Sequence, residues 1–161
     1  MTLLEVLLYI ALATVLLYVG TSLYFLSVTT HAKVHAVLEV EHNATWVLLR
    51  VRQTIHDANE VVTPSVGESG GTLVLTMLDE SRSPTTITLV EGRLMFGEGA
   101  SPPVPLSAEG VVVASLLFHN LSVGTTTESV ETQLQMSYKN EGGRNELQFS
   151  DTYYATANTR P

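Results

Sequence analysis

Residues 3–28 read LLEVLLYIALATVLLYVGTSLYFLSV, and this run decides how the rest of the chain is organised. It is apolar almost throughout, interrupted only by Glu5, a few Thr and Ser, and Gly20. An α-helix rises about 1.5 Å per residue, so roughly 20 apolar residues cross the hydrocarbon core of a bilayer. The run is long enough to span. No Lys or Arg precedes it, so the basic n-region of a signal peptide and the usual charge cue for orientation are both missing. Either the chain is already processed or something else orients it.

The remainder has a different composition. Glu5 is the only charged side chain up to Thr30, and nearly all other acid and base follows His31. Such a split describes a segment buried in lipid or in a partner, joined to a soluble one. The 161 residues suit one domain with an appended segment. A net charge of −8 argues against a broad field attracting nucleic acid or anionic lipid. The absence of cysteine excludes thiolate metal sites, thiol catalysis and a disulfide framework. It is compatible with export, where disulfides are permitted but never compulsory.

Glu5 has a bland explanation, an interfacial carboxylate favoured by the helix dipole at a helix start. At mid-membrane a carboxylate costs about 2.5–3.5 kcal/mol on insertion scales, and less near the end. Its neighbours point further. Met1-Thr2-Leu3-Leu4-Glu5-Val6-Leu7-Leu8 resembles the N-terminus of mature type IV pilins and type II secretion pseudopilins. Thr2-Leu3-Leu4-Glu5 follows the family pattern position by position, and Met1 stands where Phe is commoner. In that family a short basic leader is removed before residue 1 and the new amine is methylated. The resemblance therefore implies that Met1 is the processed, N-methylated residue, and that Met1, Thr2 and Glu5 form the assembly site. An amine and a carboxylate in apolar surroundings each carry a desolvation cost of several kcal/mol. Pairing Glu5 of one subunit with the Met1 amine of a neighbour satisfies both and sets the stagger between helices, as a buried polar residue sets coiled-coil register.

Helical periodicity continues beyond the apolar run. No proline occurs before Pro64, and Gly20 is the only glycine before Gly67. Val37, Val40, Ala44, Val47 or Leu48, Val51, Ile55, Ala58 and Val62 recur at steps of three and four, an amphipathic stripe. Glu39, Glu41, Arg50, Arg52 and Asp57 fall on the other face, and Trp46 lies off the stripe, toward a sheet edge or a neighbouring subunit. The pattern predicts one helix from about Thr2 to about Val62. Residues 1–30 are its hydrophobic membrane or filament-core part, and 31–62 its amphipathic continuation. Many family members have Pro at position 22; here it is Ser22, so local melting there is less strongly encoded.

Residues 63–161 change to a period of two and form a β-sheet head. Strands are expected at Thr72–Leu78, at Thr85–Val90 and Arg93–Phe96 around an Glu91-Gly92 turn, and at Val111–Phe118. Val130–Tyr138 alternates most clearly, and Glu141-Gly142-Gly143 turns it into Glu146–Thr152. Gly97–Pro105 and Gly124–Thr127 read as loops, and Thr156–Pro161 as an exposed polar end. The fold class is α+β, a long N-terminal helix whose second half packs against one antiparallel sheet. The layout resembles minor pilins and pseudopilins of the J or W type.

Other motifs carry little chemistry. Gly67-Glu68-Ser69-Gly70-Gly71 spells the nucleophile-elbow pattern, but the elbow needs a strand before the serine and a helix after it. Here that order is reversed, and a helix-to-sheet turn is the better reading. His31, His35 and His42 share a helix face, yet no His-Glu-x-x-His occurs, and a solvated polar face is expected rather than a metal site. Asn43-Ala44-Thr45 and Asn120-Leu121-Ser122 match the N-glycosylation sequon, with no modification expected at either.

The resemblance implies a structural pilin of an extracellular type IV pilus or fimbrium, serving adhesion or twitching motility. Its expected partners are further copies of itself in a helical filament, other pilins, the inner-membrane assembly platform and a prepilin peptidase. Before assembly it would sit in the cytoplasmic membrane. Two alternatives remain: a minor pilin or pseudopilin whose head binds in adhesion, DNA uptake or secretion, and a monomeric membrane-anchored domain. No enzyme activity, cofactor or metal is expected, and nucleic acid is an improbable partner given the acidity.

Overall fold

The computed structural model describes residues 2–123 and 127–160; Met1 and most of the Gly124–Thr127 connection lie outside them. The first element, α1, is a single α-helix over Leu3–His56, about 80 Å long. It runs uninterrupted through Gly20, Thr21 and Ser22. Ala36, Val40, Ala44, Val47, Val51 and Ile55 form its buried stripe, all 1% exposed or less. Each fully buried Val or Ile in such a stripe contributes about 1.5–3 kcal/mol relative to an exposed one. The expected Val37 is only half-buried, and the stripe begins instead at Ala36.

The helix stops short of Val62. Asp57 closes it, with its N–H bonded to the Gln53 carbonyl at 3.0 Å, and Ala58–Thr63 forms strand β1. The error has a geometric cause. β1 pairs with its neighbour through register shifts on either side of Glu60–Val61, and its burial therefore repeats every third residue, at Ala58 and Val61. A bulged strand can thus imitate helical spacing. Val62, assigned to the stripe by that spacing, is exposed.

The head contains two antiparallel sheets rather than the single one expected. Strands β1, β3 (Thr72–Met77), β4 (Thr85–Val90), β5 (Arg93–Glu98) and β6 (Val104–Pro105) make a five-stranded sheet in that order. The second, four-stranded sheet runs β2 (Ser69–Gly70), β7 (Val111–Asn120), β8 (Ser129–Tyr138) and β9 (Ser150–Asn158). α1 lies mainly on β8 and β9, and β7 is the strand that meets the five-stranded sheet. Both sheets and the helix stripe contribute to one core, with Leu73, Leu75, Ile87 and Leu94 from one sheet and Phe118, Leu134 and Met136 from the other.

Local chemistry explains the strand ends. Glu91 and Gly92 have φ of 49° and 75°, the paired left-handed residues of a type I′ turn, and Val90 faces Arg93 across it. The tip of this hairpin joins the sheets, because the Gly92 carbonyl accepts the Val113 N–H at 2.8 Å. β7 reads as a continuous apolar run because a bulge after Val113 shifts its alternation: Val111 and Val113 point inward, then Leu116 and Phe118. The chain end is tied down as well. β9 continues to Asn158, and Ala157 and Thr159 are buried, where an exposed polar tail was expected. Thr159 donates its N–H to the Glu128 carbonyl at 2.9 Å and accepts the Glu128 N–H on Oγ1 at 3.0 Å, while the Glu128 carboxylate accepts the Val61 N–H at the open edge of β1.

Two positions in the head lend themselves to measurement. Gly99 has φ +55°, and a Cβ there would stand 2.4 Å from the Ser81 carbonyl oxygen. Gly99→Ala should therefore lower head stability by about 1–3 kcal/mol, read from the chemical denaturation midpoint. Tyr153 of β9 has a buried hydroxyl with no hydrogen-bond partner among the described residues. Burial first, then the charges of Asp151 and Glu41, raise its pKa above the ordinary 10.0. The folded phenol thus holds its proton more tightly than the unfolded one. Its contribution is complete below pH 10 and is lost as pH rises through the folded-state value. Tyr153→Phe should unfold at an equal or higher temperature near neutrality and lose less stability than the parent chain above pH 10.

Candidate assembly surface on the N-terminal helix

The first half of α1 touches nothing else in the chain. Leu3 is 80% exposed and Leu17 70%, and the apolar side chains between them are exposed likewise. The threonine hydroxyls along this surface are satisfied by the helix itself: Thr14 donates to the Ala11 carbonyl at 2.8 Å, Thr21 to Leu17 at 2.7 Å and Thr30 to Leu26 at 2.8 Å. These threonines add no unfilled donor to an apolar surface. This is one helix long and apolar enough to cross a membrane.

Leu3–Val28 extends for roughly 39 Å, against about 30 Å of bilayer hydrocarbon. Beyond it the exposed apolar side chains are scattered: Val34, Leu38 and Leu49, between 50 and 59% exposed, alternate with exposed His31, His35, Glu41, His42 and Thr45.

Glu5 stands in the first turn of this surface, exposed and without an ion-pair partner among the described residues. Thr2 precedes the helix in extended conformation; its carbonyl accepts the Glu5 N–H at 3.0 Å and the Val6 N–H at 3.3 Å, and its side chain makes no cap. Met1, the third expected assembly residue, lies outside the described residues.

The remaining candidates separate clearly. His35 Nδ1 lies 3.6 Å from Glu39 Oε2, while His31 and His42 are exposed. Among the described residues no three His, Cys, Asp or Glu side chains converge as a metal site would require. Ser69 sits on β2, not on a strand-to-helix elbow, and its hydroxyl meets His119 Nδ1 at 2.6 Å across the β2–β7 pair. Asn43 is a helix residue whose Oδ1 accepts the Ala108 N–H at 3.3 Å. Asn120 is fully buried, donating to the Pro64 carbonyl at 2.9 Å and accepting from the Ser122 N–H at 3.1 Å, so its amide is closed to a bulky sugar.

One grouping escaped sequence reasoning. Arg50 was assigned to the solvated face, yet its guanidinium lies 5.1 Å from the centroid of Phe96 and 3.9 Å from Glu98 Oε1. Arg82 holds that same oxygen with two hydrogen bonds, at 3.0 and 2.7 Å. Only the spacing of Trp46 and Arg50, one helical turn apart, hinted at a shared environment. Against models of protein families, curated proteins and solved structures, the chain shows no match.

The Ser69–His119 contact acts as a fastening between β2 and β7 rather than as a nucleophile. Ser69→Ala should therefore change head stability by no more than about 1 kcal/mol, and Ser69 should resist labelling by a fluorophosphonate. Stoichiometric labelling at Ser69 would contradict this.

Proposed function

We propose that this chain is a structural subunit of a helical filament of the type IV pilin kind, built by lateral packing of α1 helices. The observation that carries the reading is a stem apolar on every side from Leu3 to Val28 with a single carboxylate, Glu5, in its first turn and no ion-pair partner for it among the described residues. Lipid can cover the stem, but it leaves that carboxylate unpaired. Exposed apolar surface of this extent marks an interaction site. A second α1 supplies the same chemistry along the same length, and helices packed side by side bury both.

Glu5 then acts as the registry device. Moving α1 from lipid into a helix bundle changes little hydrophobic energy, since lipid tails are as apolar as leucine. Packing and the polar contact decide the geometry. Pairing Glu5 with the N-terminal amine of a neighbour favours one axial offset, because any other leaves two ions desolvated and unpaired. A monomeric anchored domain would give Glu5 no such partner.

Glu5→Ala should leave a folded, membrane-inserted chain but reduce the yield of sheared surface filaments at least about tenfold, the ratio that corresponds to about 1.4 kcal/mol. Normal filament yield from the variant would overturn the pairing. Intact-mass analysis of the same filaments should find this chain beginning at Met1 and one methyl group heavier than its sequence. Retention in the membrane with no filaments would favour the anchored domain.

A further inference from the structure

A cleft of about 660 Å³ opens on the flank of α1, between the helix and the chain around β6. This is within the range of about 300–1,000 Å³ typical of small-molecule sites. Trp46 stands at its wall, 51% exposed, and Phe96 lies behind Arg50. Leu49, three residues on from Trp46, lines the same wall. Gln53, Ser101 and Glu98 complete a polar rim.

We propose that this cleft binds a pyranose carrying a carboxylate, such as a sialic or uronic acid. Charge decides the ligand's sign. Two guanidinium groups, Arg50 and Arg82, share the one carboxylate of Glu98, and Arg82 takes it by two short hydrogen bonds. Arg50, at 3.9 Å, makes no side-chain hydrogen bond among the described residues, a surplus cation on a chain of net charge −8. A planar guanidinium matches a carboxylate in two parallel hydrogen bonds. The rim decides the rest of the ligand. Gln53 and Ser101 make no side-chain hydrogen bond among the described residues, and Glu98 Oε2 accepts none. A polyol fills these groups, whereas a simple aliphatic or aromatic acid would desolvate them without replacing their water. The half-exposed indole of Trp46 offers an apolar face for the C–H side of the ring while its N–H stays wet. This reading concerns the head and does not depend on filament assembly.

Trp46 is the only tryptophan in the chain, so its fluorescence reports on the cleft without labelling. The full chain, solubilised in detergent, is titrated with N-acetylneuraminic acid and glucuronic acid, with N-acetylglucosamine as the uncharged control. A saturable change in Trp46 emission is expected for the two acids, at least about tenfold weaker for the uncharged sugar. Arg50→Gln should abolish the preference for the acids, and Gln53→Ala should weaken all three sugars while keeping that preference; both must retain the parent's circular dichroism. No saturable change, or a response unaffected by Arg50→Gln, overturns the proposal. So does a blue shift of Trp46 that grows with protein concentration and blocks the sugar response, which would assign the cleft to a second copy of the chain.

Discussion

Everything in this molecule hangs on the burial of one stripe of a very long helix. Val40, Ala44, Val47, Val51 and Ile55 are covered by the four-stranded sheet, and that cover is what holds the head to α1. Within a folded protein most helical stability comes from packing of the amphipathic face rather than from propensity. Ahead of Ala36 no sheet covers the helix; residues 29–35 are a mixed, largely polar stretch, and from Val28 back to Leu3 the circumference is exposed and apolar save for Glu5, Gly20 and a few hydroxyls. The same element is therefore core along one stripe of its second half and exposed apolar surface in its first. Moving the stripe by one residue would rotate the apolar N-terminal half relative to the head by about 100°.

Three junctions fix the head around that stripe. The Glu91-Gly92 hairpin tip bonds to β7 at Val113 and ties the two sheets together. Glu128 ties the end of β9 to the open edge of β1 through Thr159 and Val61. An open edge presents unpaired N–H and C=O groups to any other strand, and a carboxylate over the Val61 N–H removes one such invitation. The Arg82–Glu98–Arg50 group sits at the third junction, where the five-stranded sheet meets the flank of the helix. Here the surplus guanidinium over Phe96 makes a surface that is apolar and cationic at once. On an acidic chain with an apolar stem, this flank stands apart from that stem in both shape and charge, and the two proposed roles occupy different stretches of one helix.

Much of this was legible in the residues. The run from Leu3 to Val28, the stripe from Val40 to Ile55 and the alternation of β8 are periodic signals strong enough to survive without tertiary information, because helix and strand repeat at 3.6 and 2 residues and their faces are sorted by polarity. Glu5 was visible for the opposite reason, as a lone carboxylate in an apolar segment. The turn at Glu91-Gly92 was legible from a glycine, free to take positive φ, in a two-residue gap between β-patterned runs; that Glu91 also takes φ 49° was not. These features are local, and each can be read from one uninterrupted stretch of the sequence.

Tertiary structure alone decided what depends on residues distant in the chain. Ala58 and Val61 fit a helix as well as a bulged strand, and only pairing with Leu75 and Met77 selected the strand. The division into two sheets followed from β2 joining β7 across about fifty residues, and the burial of Thr159 from its hydrogen bonds to Glu128. The cleft beside Trp46 assembles residues near 50 with residues near 100, whose spacing in sequence carries no period at all. Local periodicity determined the helix, its faces and most strands, because those are set by backbone geometry and polarity; the sheet partners, the end of the helix and the cleft were decided by long-range contacts that no local pattern encodes.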